Sequence, residues 1–204
     1  MPCGGFCAQD RVRPALDGDR VGGVRYERQL SDTVHLREAR VDDAASLAAA
    51  YDRNRAHLAP WDPERTPSFF TEHGQRSVLA GRLASSAAGE GQSFLLIEGD
   101  EVVGGISLNQ IVRGPVQRAT VGYWLDHEHV GRGLATAAVG AVVDFATVTL
   151  RLHRLEAGAL PRNAASRAVL TRSGFVEYGY AASYLRIAGV WEDHVLYHRL
   201  LGSA

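Results

Sequence analysis

The hydrophobic and polar positions along the chain change period several times, and these changes mark out the elements. Val34–Ala39 alternates, as a strand with one buried face does. From Asp42 the period lengthens: Leu47, Tyr51 and Leu58 share one side of a helix, with Asp42 placed to cap it and Pro60 to end it. A second helix is predicted from about Glu72 to Ala88, with Val78, Leu79 and Leu83 as its apolar face and Gly89 as its stop. Ser93–Ile97 and Val102–Leu108 read as strands around the turn Gly99-Asp100, and Ala119–Leu125 as another. Leu134 to about Val148 is apolar nearly all round, which predicts a helix buried on more than one side. Arg154–Leu160 is a strand, and Asn163 opens a short helix that Gly174 stops. Phe175–Tyr180 is a strand, followed by a hairpin with arms Tyr184–Ile187 and Trp191–Leu200. The order is β-α-α-β-β-β-α-β-α-β-β, an α/β chain.

Residues 1–32 show no clear period and are rich in Gly, Arg and Asp. They read as an N-terminal extension, with turn chemistry at Leu16–Val21 for a small hairpin, ahead of one domain over 33–204. A chain of 204 residues has ample length for a core. No stretch approaches the about 18 apolar residues that a membrane span needs. A net charge of −1 argues against holding nucleic acid by phosphate neutralisation. All 22 basic residues are Arg, which fits codon bias. Cys3 and Cys7 stand without a second pair or a nearby His, a poor zinc site, and read as free thiols. The expected setting is cytoplasmic, with no membrane, nucleic-acid or metal partner, and a monomer or homodimer.

The segment Val130-Gly131-Arg132-Gly133-Leu134-Ala135-Thr136 joins the strand ending at Leu125 to the long helix. Glycines let backbone approach a ligand closely, and the first amides of a helix point outward with a favourable dipole for anions. A strand, a Gly-rich turn and a helix start therefore make a phosphate site. Two glycines at such a junction also occur as a plain turn, so the loop alone does not decide. A second motif follows in Asn163-Ala-Ala-Ser-Arg-Ala-Val-Leu-Thr-Arg-Ser-Gly-Phe175.

Together the two motifs resemble the GNAT superfamily of acyl-CoA-dependent N-acyltransferases. Asn54–Trp61, Gly122–Leu125, the Asn163 motif and Trp191–Tyr197 carry a closer likeness to its RimJ/RimL branch, over about Thr33 to Leu201. The resemblance implies a mixed central sheet with helices on both faces. It also implies acetyl-CoA as the acyl donor and a primary amine as the acceptor.

The resemblance also assigns roles. Backbone amides from Val130 to Ala135 cradle the pyrophosphate. Val130 stands where the family usually has Arg or Gln, which removes a side-chain contact and no backbone donor. Thr136 adds a hydroxyl or is a plain first-turn residue. The strand Val121–Leu125 splays from its neighbour to admit the pantetheine arm, Gly122 suits a bulge there, and the Leu125 N–H is the oxyanion donor. Tyr123 walls the acyl pocket or packs in the core. Asn163 caps its helix, bonds the pantetheine, or does both. The Tyr that many family members use to protonate the thiolate is replaced by Leu170, and Ser166 stands where RimL-like enzymes place a hydroxyl for that task. Asn54, His57 and Trp61 begin the acceptor groove, followed by the loop Pro63–Pro67. For the base, His127, His129, Asp193, His194 and a water relayed to a carboxylate all stay open.

The expected function is acetylation of an N-terminal α-amine, of the ribosomal-protein type. A small amine such as an antibiotic, amino sugar or polyamine is the alternative acceptor, and a non-catalytic acyl-CoA-binding module is a third reading. Asp62 and Glu64 against Arg55 and Arg65 leave the groove segment nearly balanced, where a polycation site should be acidic.

Overall fold

The computed structural model describes residues 26–202. Cys3, Cys7 and the hairpin expected at Leu16–Val21 lie outside the described residues. Eight strands form one mixed sheet: β1 (Glu27–Gln29), β2 (Val34–Glu38), β3 (Gln92–Glu98), β4 (Glu101–Val112), β5 (Arg118–Leu125), β6 (Arg154–Ala159), β7 (Val176–Ile187) and β8 (Val190–Leu200). Their order across the sheet is β1-β2-β3-β4-β5-β6-β8-β7. All neighbours are antiparallel except β5 and β6. The helices are α1 (Ala44–Arg53), the single turn α2 (Arg55–Leu58), α3 (Glu72–Ala87), α4 (Leu134–Val148) and α5 (Ala164–Arg172).

Two apolar clusters sit on opposite faces. On one, α4 buries Leu134, Ala138, Val139, Val142 and Phe145 against Phe94, Leu108, Val121 and Leu155 of the strands. On the other, Leu47 and Tyr51 of α1 and Leu79 of α3 pack on Leu95, Ile97 and Val102. The strand residues alternate between the clusters, as the two-residue period requires. Helices therefore cover both faces.

The sheet starts earlier than the pattern predicted. β1 pairs with β2 inside the segment read as an extension. Tyr26, just before it, packs edge-on to Phe94 and Phe145 and donates its hydroxyl to Ala141 O at 2.8 Å. A three-residue strand carries too little periodicity to be seen in sequence. The first helix also differs. Its entry carboxylate is the buried Asp43, not Asp42: Asp43 accepts from the Arg40 N–H at 2.7 Å and pairs with Arg37 at 2.6 Å. The helix then breaks at Asn54, leaving Leu58 on α2. The last hairpin is longer than expected. β7 runs unbroken from Val176 to Ile187, and an irregularity between Ala181 and Leu185, with Ser183 at φ +48°, absorbs what read as a gap. Ala188 and Gly189 both have positive φ, a two-residue hairpin turn that matches strand twist.

Candidate active site

The parallel pairing of β5 and β6 lasts three residues, from Arg118↔Arg154 to Thr120↔Glu156. Beyond it β5 stays with β4 to Leu125, and β6 stays with β8 to Ala159. The two strands diverge and leave a wedge in the middle of the sheet. Ladder alternation fixes which groups face it. The Asp126 N–H bonds to Val103 O, so even-numbered residues of this stretch bond toward β4. The backbone groups of Val121, Tyr123 and Leu125 therefore point into the wedge, and on the far side those of Gly158 do. Gly122 is not the cause. It sits in regular register, a Cβ there would make only ordinary contacts with Asn109 at 3.7 Å and Ser107 at 3.9 Å, and the irregularity belongs to β4, between Asn109 and Val112.

The loop lies at the wide end of the wedge. Gly131 and Gly133 have φ of +78° and +77°, and a Cβ on either would meet nothing within 4 Å. Both glycines thus present bare backbone to open space. Gly133 is also the N-cap of α4. The first amide of this end to find a backbone acceptor is Ala137, on Gly133 O, so the Leu134, Ala135 and Thr136 N–H groups are left at the helix start. Val130 and Arg132 are exposed, and the Leu134 side chain is buried as an anchor. A cavity of about 650 Å³ begins at Thr136 and Gly140 and ends on Arg172 and Arg199. Positive-φ glycines, free helix-start amides and this cationic groove fit a phosphorylated nucleotide such as coenzyme A.

Across the wedge, α5 starts with Asn163, whose Oδ1 accepts from the Ser166 N–H at 3.0 Å. The cap holds Ser166 in place. Tyr123 reaches over from β5, its hydroxyl 2.9 Å from Ser166 Oγ and 3.1 Å from Ser166 O. Tyr123 thus lies on the α4–α5 face and grips Ser166. Burial pushes its phenol up to about 12, with the Ser166 hydrogen bond opposing, so the phenol keeps its proton at neutral pH. Sequence reasoning saw both residues and missed their pairing, because 43 residues separate them. Leu170 is fully buried, so no side chain from the usual acid position reaches the wedge.

Asn54 corrects an expectation. It is fully buried, with Nδ2 on Asp126 Oδ2 at 2.8 Å and Oδ1 accepting from the His127 N–H at 2.9 Å. It ties α1 to the loop, and both of its amide atoms are engaged within the chain. Asp126 is not singled out by the hydrophobic pattern, although an Asp at a strand end is an N-cap signal. It is 1% exposed and accepts from Arg53 Nε at 2.6 Å, from Asn54 and from the Glu128 N–H at 3.0 Å. Burial raises its carboxyl, and the donors of Asn54, Arg53 and Glu128 outweigh that and hold it below the usual Asp value. His129 is buried with Nε2 3.0 Å from Glu98, so it also braces the loop.

His57 is half-buried and Trp61 is exposed, at the mouth opposite α5. Arg162 joins them to the far side of the wedge: it lies over the Trp61 ring at 5.8 Å, bonds to Pro60 O at 3.3 Å and pairs with Glu192 at 2.8 Å. Ala188 N–H bonds to Asp62 O, so the β7–β8 turn closes the same rim. Among the described residues, no cluster of His, Cys, Asp or Glu could hold a metal ion, and no helix is long and apolar enough to cross a membrane.

The family model described as acetyltransferase (GNAT) domain matches residues 33–176. The chain belongs to the GNAT acetyltransferase family. It is 38% identical over 164 residues to the probable N-acetyltransferase YjcK of Bacillus subtilis, covering 79% of this chain and 91% of that protein. The ribosomal-protein-S5-alanine acetyltransferase of Vibrio fischeri superposes with a TM-score of 0.81 at 34% identity, covering 87% and 97%. Mycobacterium smegmatis RimJ, solved with a CoA disulfide, gives 0.79 at 32% identity, covering 82% and 81%. The protein is thus a GNAT N-acetyltransferase similar to the RimJ/RimL enzymes, with the mixed sheet and two-sided helices expected.

Asp126→Ala removes the acceptor for three donors and is expected to lower unfolding free energy by about 3 kcal/mol, the scale for stripping one partner from a buried ion pair. Because the folded carboxyl is held low, its contribution is full above the ordinary Asp value of ~3.9 and is lost as pH falls through the lower folded value. Denaturant unfolding of both proteins at pH 7 and pH 3 checks this, the difference narrowing at the lower pH. Gly133→Val forces a β-branched residue to φ +77° and is expected to abolish CoA binding in calorimetry, whereas Val130→Arg binds as well as wild type or better.

Proposed function

We propose that the protein transfers acetyl from acetyl-CoA to the α-amino group of a protein N-terminus, of the ribosomal-protein type. The observation that carries the choice of acceptor is the charge at the groove mouth. Asp52 is paired with Arg55 at 2.7 Å, Asp62 with Arg65 at 3.1 Å and Glu192 with Arg162 at 2.8 Å. A polyamine or aminoglycoside needs several unpaired carboxylates, and here arginines pair three of them and leave Glu64 as the carboxylate of this rim without an ion pair among the described residues. A peptide terminus brings one amine and needs only an open groove. The S5-alanine specificity named for the V. fischeri protein supports the same reading.

Acetyl-CoA supplies the acetyl group activated as a thioester. The amides of Val130 to Ala135, with Arg132 and Thr136 beside them, hold the pyrophosphate. The wedge-facing backbone of Val121 to Leu125 aligns the pantetheine, and the Leu125 N–H faces the place where carbonyl charge develops. Asn163 fixes the first turn of α5. When Tyr123 donates its single proton to Ser166 Oγ, the serine hydroxyl proton is left to point at the departing sulfur. A thiol of pKa ~8.5 leaves acceptably as thiolate, so a hydrogen bond suffices where a phenol would otherwise serve.

Ser166→Ala is expected to lower kcat by about 10- to 1000-fold with CoA affinity little changed, the range for a positioned proton donor. Single-turnover kinetics beside calorimetry separate the two effects. For the acceptor, release of thiol is compared between peptides with free N-termini and a panel of small amines. With peptides, kcat/KM should rise through about pH 7 to 8 and flatten, near the α-amino pKa. Preference for Lys side chains or polyamines would overturn the proposal.

A further inference from the structure

The geometry points to His194 as the general base that takes the proton from the acceptor amine. This rests on the acetyltransfer reading and goes beyond it, because it assigns the half of the proton traffic that Ser166 cannot perform.

The sheet separates the two halves. Tyr123 belongs to the face covered by α4 and α5, where it meets Ser166. On β6 and β8, Ala157, Ala159, Val195 and Tyr197 face that same cluster. Gly158, His194 and Leu196 must then face the opposite side. The Cβ direction of Gly158 confirms it: a Cβ there would stand 3.5 Å from His194 Cδ2 and 3.9 Å from Leu196 Cδ2. Gly158 is the first wedge-facing residue of β6 after the last β5–β6 pair. The Cδ2 edge of the imidazole therefore borders the wedge from the groove side, opposite Ser166. Gly158 is exposed and carries no side chain to cover that edge.

The tautomer is set by the backbone. His194 Nδ1 is 3.1 Å from Glu192 O. A carbonyl oxygen only accepts, so Nδ1 carries the proton and neutral His194 keeps its lone pair on Nε2, next to Cδ2. Among the described residues Nε2 has no hydrogen-bond partner. His194 is 4% exposed, and Tyr184 packs edge-on to its ring at 5.5 Å, which restricts its orientation.

The charged groups around it are already engaged. Asp193 accepts from Tyr180 at 2.6 Å and from the Ser183 N–H at 2.8 Å, and the Tyr180 bond, then the Ser183 bond, hold its carboxyl low. Glu192 is paired with Arg162 from the β6–α5 turn. Neither carboxylate is free to act as the base. His127 bonds Asn54 and His129 bonds Glu98, so both serve the loop. His57 stands 6.1 Å from the His127 ring and Glu64 lies against Gly189 of the β7–β8 turn, whereas His194 has its free basic nitrogen beside the wedge-facing Gly158. An ammonium N–H bond breaks, its electron pair stays on nitrogen for the attack, and the proton moves to Nε2 and from there to solvent.

His194→Gln keeps the size and polarity and removes the basicity. With an N-terminal Ala peptide and saturating acetyl-CoA, kcat is expected to fall about 100- to 10,000-fold and to lose the acid limb that wild type shows, with CoA affinity by calorimetry unchanged. In His194→Gly, added imidazoles should restore turnover, and the restored rate should rise with their basicity. Long-range ¹⁵N–¹H spectra of the wild-type protein should place the proton on Nδ1, and the Nε2 resonance should move when the peptide is added. An acid limb retained in the kcat profile of His194→Gln at saturating peptide, or rescue insensitive to basicity, would make His194 a packing residue and overturn the inference. If either variant fails to fold, a wild-type spectrum with the proton on Nε2 overturns it alone. Should the wild type acetylate only a small amine, the acceptor proposal fails, and His194 is judged by the same profiles with that amine.

Discussion

The buried carboxylate of Asp126 is the contact on which the site depends. It stands where β5 ends and the loop begins, and its partners come from the end of α1 and from the loop itself. Removing a carboxylate from water costs several kcal/mol, and the arrangement is stable only because Arg53, Asn54 and a backbone amide meet it together. Asn54 passes the constraint on to His127 through its other amide atom. Two residues later His129 is held by Glu98. The loop thus enters the region of Gly131 with both ends of its first turn fixed, and the amides of α4 start from a determined position.

The wedge follows from strand pairing rather than from any single residue. β6 has two neighbours to satisfy, and β8 pairs with it along its whole length while β5 pairs for three residues only. The backbone groups released on β5 and β6 are left in the middle of a sheet, where unpaired groups are costly unless a ligand or water meets them. That cost makes the wedge well suited to an extended ligand with alternating donors and acceptors. Because α4 and α5 cover one face and the α1–α2 end rims the other, the gap has two different sides. Ser166 with Tyr123, and His194 beside Gly158, then stand on the two sides of one gap.

The later helices and their stops were legible because they rest on local chemistry. Leu134–Val148 appears with the predicted bounds, and Asn163, Gly89 and Gly174 act as the cap and stops they resembled. The glycine pair of the loop was legible for the same reason, since positive φ is a property of one residue. The family motifs also lie within short windows. These features determined the class of fold and the kind of chemistry.

Pairings between distant residues were decided only in three dimensions. Tyr123 with Ser166, Asp126 with Arg53 and Asn54, and His194 with Gly158 join elements that no local period connects. Asn54 shows the consequence: as a polar residue at a helix end it reads as a groove contact, and packing instead buries it against a carboxylate 72 positions away. Sequence by itself determined most of the helices, strands and turns, with β1, the break at Asn54 and the unbroken β7 as exceptions, because propensity and capping act over a few residues. The tertiary structure decided which polar side chains support the site and which face its gap, because burial, partner and face depend on how the strands are ordered across the sheet.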